Sequence, residues 1–169
     1  MEQPDNRIRI YADGACSPNP GPGGWGAVIV GDGQQRELSG GFRRTTNNRM
    51  EILAVVNGLA AVPAGSPVTV VSDSRYVVDM MSGGYVERWR SNGWMRDGKH
   101  AALNPDLWGR LLDVCQGRDV AFEWVRGHGG HPENERADAL AVAARSRDGL
   151  PADDPFEAPP RFVQGTLFG

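Results

Sequence analysis

The chain reads as an α/β domain, a mixed five-stranded sheet with helices on both faces. Three observations predict this. The hydrophobic period is two over RIRIYAD and WGAVIV and becomes helical after Thr46. Two short strand-like runs, VTVVSD and VAFEWV, are separated by helical segments. Gly and Pro clusters punctuate each change of period.

Taken in order, a first strand runs from Arg7 to Asp13, and PNPGPGG forms a tight connection to a second strand over residues 25 to 30. A third strand over Glu37 to Phe42 completes an antiparallel meander. Thr46 or Asn47 then caps a helix with Met50, Leu53, Ala54 and Asn57 at helical spacing, running to Val62 before Pro63. VTVVSD at 68 to 73 has the apolar composition of a central strand and ends in an acid. SRYVVDMM reads as a short helix stopped by Gly83 and Gly84, followed by a second over YVERWRSNGW. Asn104 or Pro105 opens a third, through Leu107, Leu111 and Leu112 to Cys115, closed by Gly117. VAFEWV is the last strand. NERADALAVAARSR is the last helix, with Ala137, Leu140, Ala141 and Ala144 to one side. The predicted order is β-β-β-α-β-α-α-α-β-α.

Length and composition narrow the function. With 169 residues and 40% hydrophobic content the chain suits one well-buried domain. It has no apolar run near the roughly 18 residues of a membrane span, and MEQPDNRIRI lacks the apolar centre of a signal peptide. Cytoplasm is the expected location. Cys16 and Cys115 stand in no metal-binding spacing and read as reduced thiols. From about Gly149 the periodic pattern stops, and PADDPFEAPP is Pro-rich and acidic, which predicts a flexible tail over 149–169 beyond a domain at 1–148. That tail holds much of the acid: the net charge is −3, yet residues 1 to 147 carry 17 basic and 17 acidic side chains. Of the 18 basic residues 17 are Arg, a composition suited to bidentate phosphate contacts.

Four carboxylates, Asp13, Glu51, Asp73 and Asp138, lie in four separate segments, each at a strand end or on a helix. Acids gathered in one site repel one another unless cations stand between them, so hard divalent metal ions are the implied ligands.

The segments DGACSPNPGPGGWGA, TTNNRMEI, SDSRYV, NPDLW and WVRGHGGHPENERADALA occur in this order and closely resemble bacterial ribonuclease H type 1 over about residues 7 to 147. The resemblance implies the ribonuclease H-like fold and endonucleolytic hydrolysis of the RNA strand of RNA–DNA hybrids, leaving 5′-phosphate and 3′-hydroxyl ends. It places Asp13, Glu51, Asp73 and Asp138 at the family's metal-binding positions. Two Mg²⁺, with Mn²⁺ as an alternative, would sit about 4 Å apart, one activating water and the other stabilising the leaving 3′-oxygen. His128, between glycines in RGHGGH, matches the loop histidine, with a role in proton transfer or product release. His131 before Pro132 reads as structural.

By the same resemblance Cys16, Asn19, Asn47, Asn48 and Arg75 line the minor-groove side, where amides both donate to and accept from 2′-hydroxyls. Arg44, Thr46 and Asn104 match a pocket for a DNA phosphate, although Asn and Thr near a helix start also serve as caps. Arg75 stands where glutamine is common in the family, and Tyr85 where tryptophan is. Residues 85 to 100 correspond to a basic protrusion, here only weakly basic, whose Trp89 and Trp94, together with Trp108, either stack on nucleotides or pack against the body. Two other classes stay open, a hybrid-binding module without catalysis and an interaction protein recruited by its tail. The final QGTLF, with Gln164, Leu167 and Phe168, resembles the peptides by which bacterial replication and repair proteins dock on the sliding clamp. The alternative is that Phe162, Val163, Leu167 and Phe168 fold back onto the domain. The expected oligomeric state is a monomer.

Overall fold

A computed structural model describes residues 6–159. Strands β1 (Ile8–Cys16), β2 (Gly21–Gly31) and β3 (Gln34–Thr45) form the expected meander. Helix α1 (Asn47–Ala60) leads to β4 (Val68–Ser72), and α2 (Arg75–Ser82), α3 (Tyr85–Ser91) and α4 (Pro105–Cys115) precede β5 (Val120–Trp124). Helix α5 (Pro132–Arg145) and a single turn, α6 (Asp154–Glu157), complete the chain. The sheet order is β3-β2-β1-β4-β5, antiparallel across β1, β2 and β3 and parallel from β1 to β4 to β5. No helix among the described residues is long and apolar enough to cross a membrane.

The three meander strands run past the ends that side-chain alternation suggested. Gly14, Ala15 and Cys16 pair with Trp25, Gly24 and Gly23, so a segment with few side chains still forms a ladder through its backbone. Gly24 and Gly26 of β2 let α5 lie directly on the sheet: a Cβ at either would run into the carbonyl of Ala141 or Ala137, respectively. Alanines at 137, 141 and 144 are fully buried at this contact.

Helix α1 packs on the other face. Thr46 caps it, its hydroxyl accepting from Arg49 N at 3.2 Å. Ten of its residues, from Arg49 to Leu59, are buried because β1 and β2 lie on one side and α4 on the other. Indoles fix the α2–α4 layer: Trp108 is fully buried, with Tyr76 at 5.2 Å and Trp89 at 6.3 Å between ring centroids. Of the two readings for these tryptophans, Trp89 and Trp108 follow the packing one.

The stretch expected to be a flexible tail from Gly149 is different over its first part. Residues 150–158 lie on the body, with Arg43 N donating to Pro151 O at 2.9 Å and Asp153 only 4% exposed. Gln164, Leu167 and Phe168 lie outside the described residues.

Candidate metal centre and nucleic-acid interface

The parallel register pairs Ala12 of β1 with Ser72 of β4, so the next residue along each strand is an acid, Asp13 and Asp73. Glu51, on the second turn of α1, is the third member. Oxygens of Asp13, Glu51 and Asp73 all lie within 4.8 Å of one another. Asp138, on α5, lies outside this group of three but close enough to raise the proton affinity of Asp13 and Asp73 by charge repulsion.

Burial and crowding make this cluster unfavourable without a cation. Asp13 is 3% exposed, and burial first, then the charge of Asp73, push its carboxyl up to about 8. Glu51 is raised well above the ordinary range by burial and then by Asp13. Burial raises Asp73 as well, opposed by hydrogen bonding and by the nearby His128. Gly14 N donates to Asp13 at 2.9 Å, but the buried Oε2 of Glu51 has no hydrogen-bond partner. An all-oxygen donor set with one orphaned buried atom fits a hard divalent ion.

The loop after β5 is drawn onto this cluster. Trp124 Nε1 donates to Asp73 O at 3.0 Å, and Val125 N donates to Ser72 O at 3.0 Å. Gly127 then passes so close that a Cβ there would stand 2.8 Å from Asp73 Oδ2. His128 is exposed and takes a left-handed conformation with φ of 55°. His131 occupies the N-cap of α5 without a side-chain cap bond.

The residues assigned to the nucleic acid fall into two groups. Asn19 Oδ1 accepts from Asn47 N at 3.2 Å, so the β1–β2 loop is tied to the start of α1 and brings Cys16, Asn19, Asn47 and Asn48 to one end of the sheet. The Cys16 thiol faces the carbonyls of Pro18, Gly21 and Thr45. Arg75 lies over the Trp124 ring at 3.8 Å, an anchorage that a glutamine would not have. In the second group Thr46 and Asn104 both bond Arg49, at its backbone N and at its guanidinium (3.4 Å), while Arg44 is exposed beside them. The Thr46 hydroxyl thus serves as a cap here.

Sequence reasoning missed three features. Arg49 is the hub of a buried ion cluster, bidentate to Asp106 at 2.9 and 2.7 Å and to Asp153 at 2.7 and 3.1 Å, with Thr45 Oγ1 donating to Asp153 at 2.7 Å. An arginine just inside a helix start was the available signal, but its partners are remote in sequence. Asn134 is 2% exposed with an unpartnered Oδ1, one turn before Asp138 on the same helix. Arg145 stands near Cys16 and carries no motif.

The RNase H family model matches residues 5–146. Among curated proteins, the ribonuclease H of Desulforamulus reducens is 56% identical over 86% of this chain and 92% of its own length. Ribonuclease HI of Synechocystis is 49% identical over 92% of this chain and 98% of its own. Among solved structures, LC9-RNase H1, described as a type 1 RNase H with the type 2 active-site motif, superposes with a TM-score of 0.71 at 33% identity, covering 86% of this chain and 74% of that one. RNase H1 of Halobacterium salinarum gives a TM-score of 0.61 at 30% identity, covering 82% and 96%.

Proposed function

The chain belongs to the RNase H family, and from that premise we propose how its residues divide the work of a ribonuclease H, an endonuclease cutting the RNA strand of RNA–DNA hybrids. The carrying observation is the orphaned Oε2 of Glu51 in a cluster whose oxygens lie within 4.8 Å. Asp13, Glu51, Asp73 and Asp138 would hold two Mg²⁺. When bound, these ions activate water and neutralise charge on the scissile phosphate and leaving oxygen. Asp13, buried between Glu51 and Asp73, would be a ligand shared by the cluster. Glu51 approaches from α1 and Asp138 from α5, so the phosphate enters from the open end of the sheet. His128 moves protons or frees product from the loop beside Asp73.

Cys16, Asn19, Asn47, Asn48 and Arg75 read the RNA strand through 2′-hydroxyls, and Arg44, Thr46 and Asn104 hold a DNA phosphate. The solved LC11-RNase H1 in complex with RNA/DNA hybrid, 25% identical to this chain, supports a hybrid as the ligand. We place the enzyme in the cytoplasm as a monomer with 5′-phosphate and 3′-hydroxyl products. The test is a mixed-sequence hybrid, each strand labelled in turn, with Mg²⁺ or chelator. RNA-strand cleavage only with Mg²⁺ is expected, and duplex DNA, duplex RNA and single-stranded RNA are spared. A single ribonucleotide in DNA is a poor substrate, since consecutive 2′-hydroxyl contacts are missing. Efficient cutting there would overturn the assignment of these contacts.

For recruitment, Gln164, Leu167 and Phe168 dock on a sliding clamp, with Leu and Phe filling an apolar pocket. Titration of the clamp with the protein and with its Leu167→Ala/Phe168→Ala variant tests this. Loss of binding in the variant is expected, and equal binding would exclude it.

A further inference from the structure

Four arginines gather where β3 ends and α5 ends, outside every contact assigned above except Arg44. Arg43, Arg145 and Arg147 line a depression of about 320 Å³ with Pro22, Asp148, Gly149 and Leu150. Two of the three are engaged. Arg43 bonds Glu157 at 3.1 Å, and Arg147 donates to Ser39 Oγ at 2.7 Å. Among the described residues neither Arg44 nor Arg145 forms an ion pair, while Asp148 lies in the lining and Glu157 pairs with Arg43. The backbone of Arg145 lies against Gly24, next to Gly23, the partner of Cys16. Burial raises the Cys16 thiol, opposed first by the hydrogen bond to Gly21 and then by the charges of Arg145 and Arg44.

The position of Arg145 relative to the metal centre is set by the helix. It stands seven residues beyond Asp138 on α5, two turns along the same face and about 10 Å away at about 1.5 Å per residue. The helix runs in the direction of β1, because Ala137 lies over Gly26, the partner of Asp13, and Ala141 over Gly24, the partner of Ala15. A nucleic-acid strand advances about 3.4 Å per phosphate along its axis, so 10 Å is about three nucleotides.

Resting on the ribonuclease H reading, we infer that Arg145, with Arg44 beside it, binds a backbone phosphate of the hybrid about three nucleotides from the scissile bond. It forms a second electrostatic grip on the side of the site away from the protrusion. The test combines steady-state kinetics with anisotropy of a labelled hybrid, bound in chelator across a salt series. Arg145→Ala is expected to raise KM about three- to tenfold near 0.1 M salt with kcat within about twofold, and to lower the slope of log affinity against log salt by about one. Arg145→Glu deepens the loss, whereas Arg118→Ala, at the opposite end of the sheet on Val62 O, leaves both readouts unchanged. Should the variants fold poorly, the unaltered protein tests the same contact: a neutral methylphosphonate two to four nucleotides from the cut on one strand weakens binding as Arg145→Ala does. Parent-like KM and salt slope in both Arg145 variants, or no effect of the methylphosphonate on either strand, overturns the inference. Failure of the parent to cut any hybrid would sink the hybrid-cleaving reading instead.

Discussion

Arg49 and Asp153, 104 residues apart in sequence, meet in a buried ion pair at 2.7 Å with side chains 5% and 4% exposed. Asp106 occupies the other edge of the same guanidinium. Burial alone would raise the Asp106 carboxyl, but the hydrogen bonds from Arg49 outweigh it and hold it low. Arg49 lies two residues before Glu51, so the segment carrying Asp153 braces the start of the helix that presents one acid of the cluster.

Removing Asp153 leaves Arg49 with Asp106 as its one carboxylate partner and the buried Thr45 hydroxyl without its acceptor, within the range of about 3–5 kcal/mol for breaking a buried pair. Asp153→Ala is expected to lower the melting temperature by about 10 °C, since each kcal/mol moves a domain of this size by about 2–4 °C. Truncation after Gly149 should do the same. Chemical denaturation of both variants checks this, and parent-like midpoints would show that residues 150–158 do not contribute to the fold.

That brace also marks where reading by sequence stops. Periodicity located every strand and every helix through α5, because those elements bury one face and the pattern of burial is local. It shortened β1, β2 and β3, since Gly14, Gly23 and Gly24 join a ladder through backbone groups that leave no alternation. PADDPFEAPP has a linker's composition, and nothing within it reveals that Asp153 neutralises an arginine on α1. That Asp13, Glu51 and Asp73 gather in one cluster was legible from their flanking residues. The orphaned Asn134 Oδ1 and the ungrouped Arg145 were not, because each takes its meaning only from a neighbour the fold supplies.

Asp13→Asn should reduce Mg²⁺-dependent cleavage by at least about a hundredfold while hybrid binding persists, because one charge of the acid cluster proposed to hold the ions is lost. Its stability should move the opposite way. With the folded carboxyl raised to about 8 from an unfolded value near 3.9, Asp13 favours the fold at low pH. That contribution is lost as pH rises through about 8. Without metal at pH 8 and above, the Asn variant is therefore expected to melt several degrees higher than the parent, and added Mg²⁺ should stabilise it less. Melting curves at pH 5 and pH 9, with and without Mg²⁺, decide it; a variant no more stable at high pH would contradict the charge-crowding account.

His128→Ala should be milder. The side chain is exposed on a glycine-flanked loop and influences Asp73 through charge. Turnover is expected to fall about ten- to a hundredfold, with the Mg²⁺ dependence of the rate unchanged. A loss as deep as that of Asp13→Asn, or a displaced Mg²⁺ optimum, would move His128 into the metal-holding set.

Gly127→Ala separates positioning from folding. The backbone at Gly127 is not in the left-handed region, so alanine is conformationally acceptable, and stability should change by less than about 1 kcal/mol. The new Cβ, however, would stand 2.8 Å from Asp73 Oδ2, closer than the two atoms can approach. The carboxylate is the mobile partner and must turn away, carrying one metal-facing oxygen out of the cluster. A disturbed ligand orientation costs about 10- to 100-fold in metal affinity. The expected result is a near-parent melting temperature in chelator with the Mg²⁺ titration of cleavage, and of calorimetric binding, shifted at least tenfold to higher concentration. A parent-like Mg²⁺ curve would mean that the loop yields in place of Asp73, and that Gly127 serves chain geometry alone.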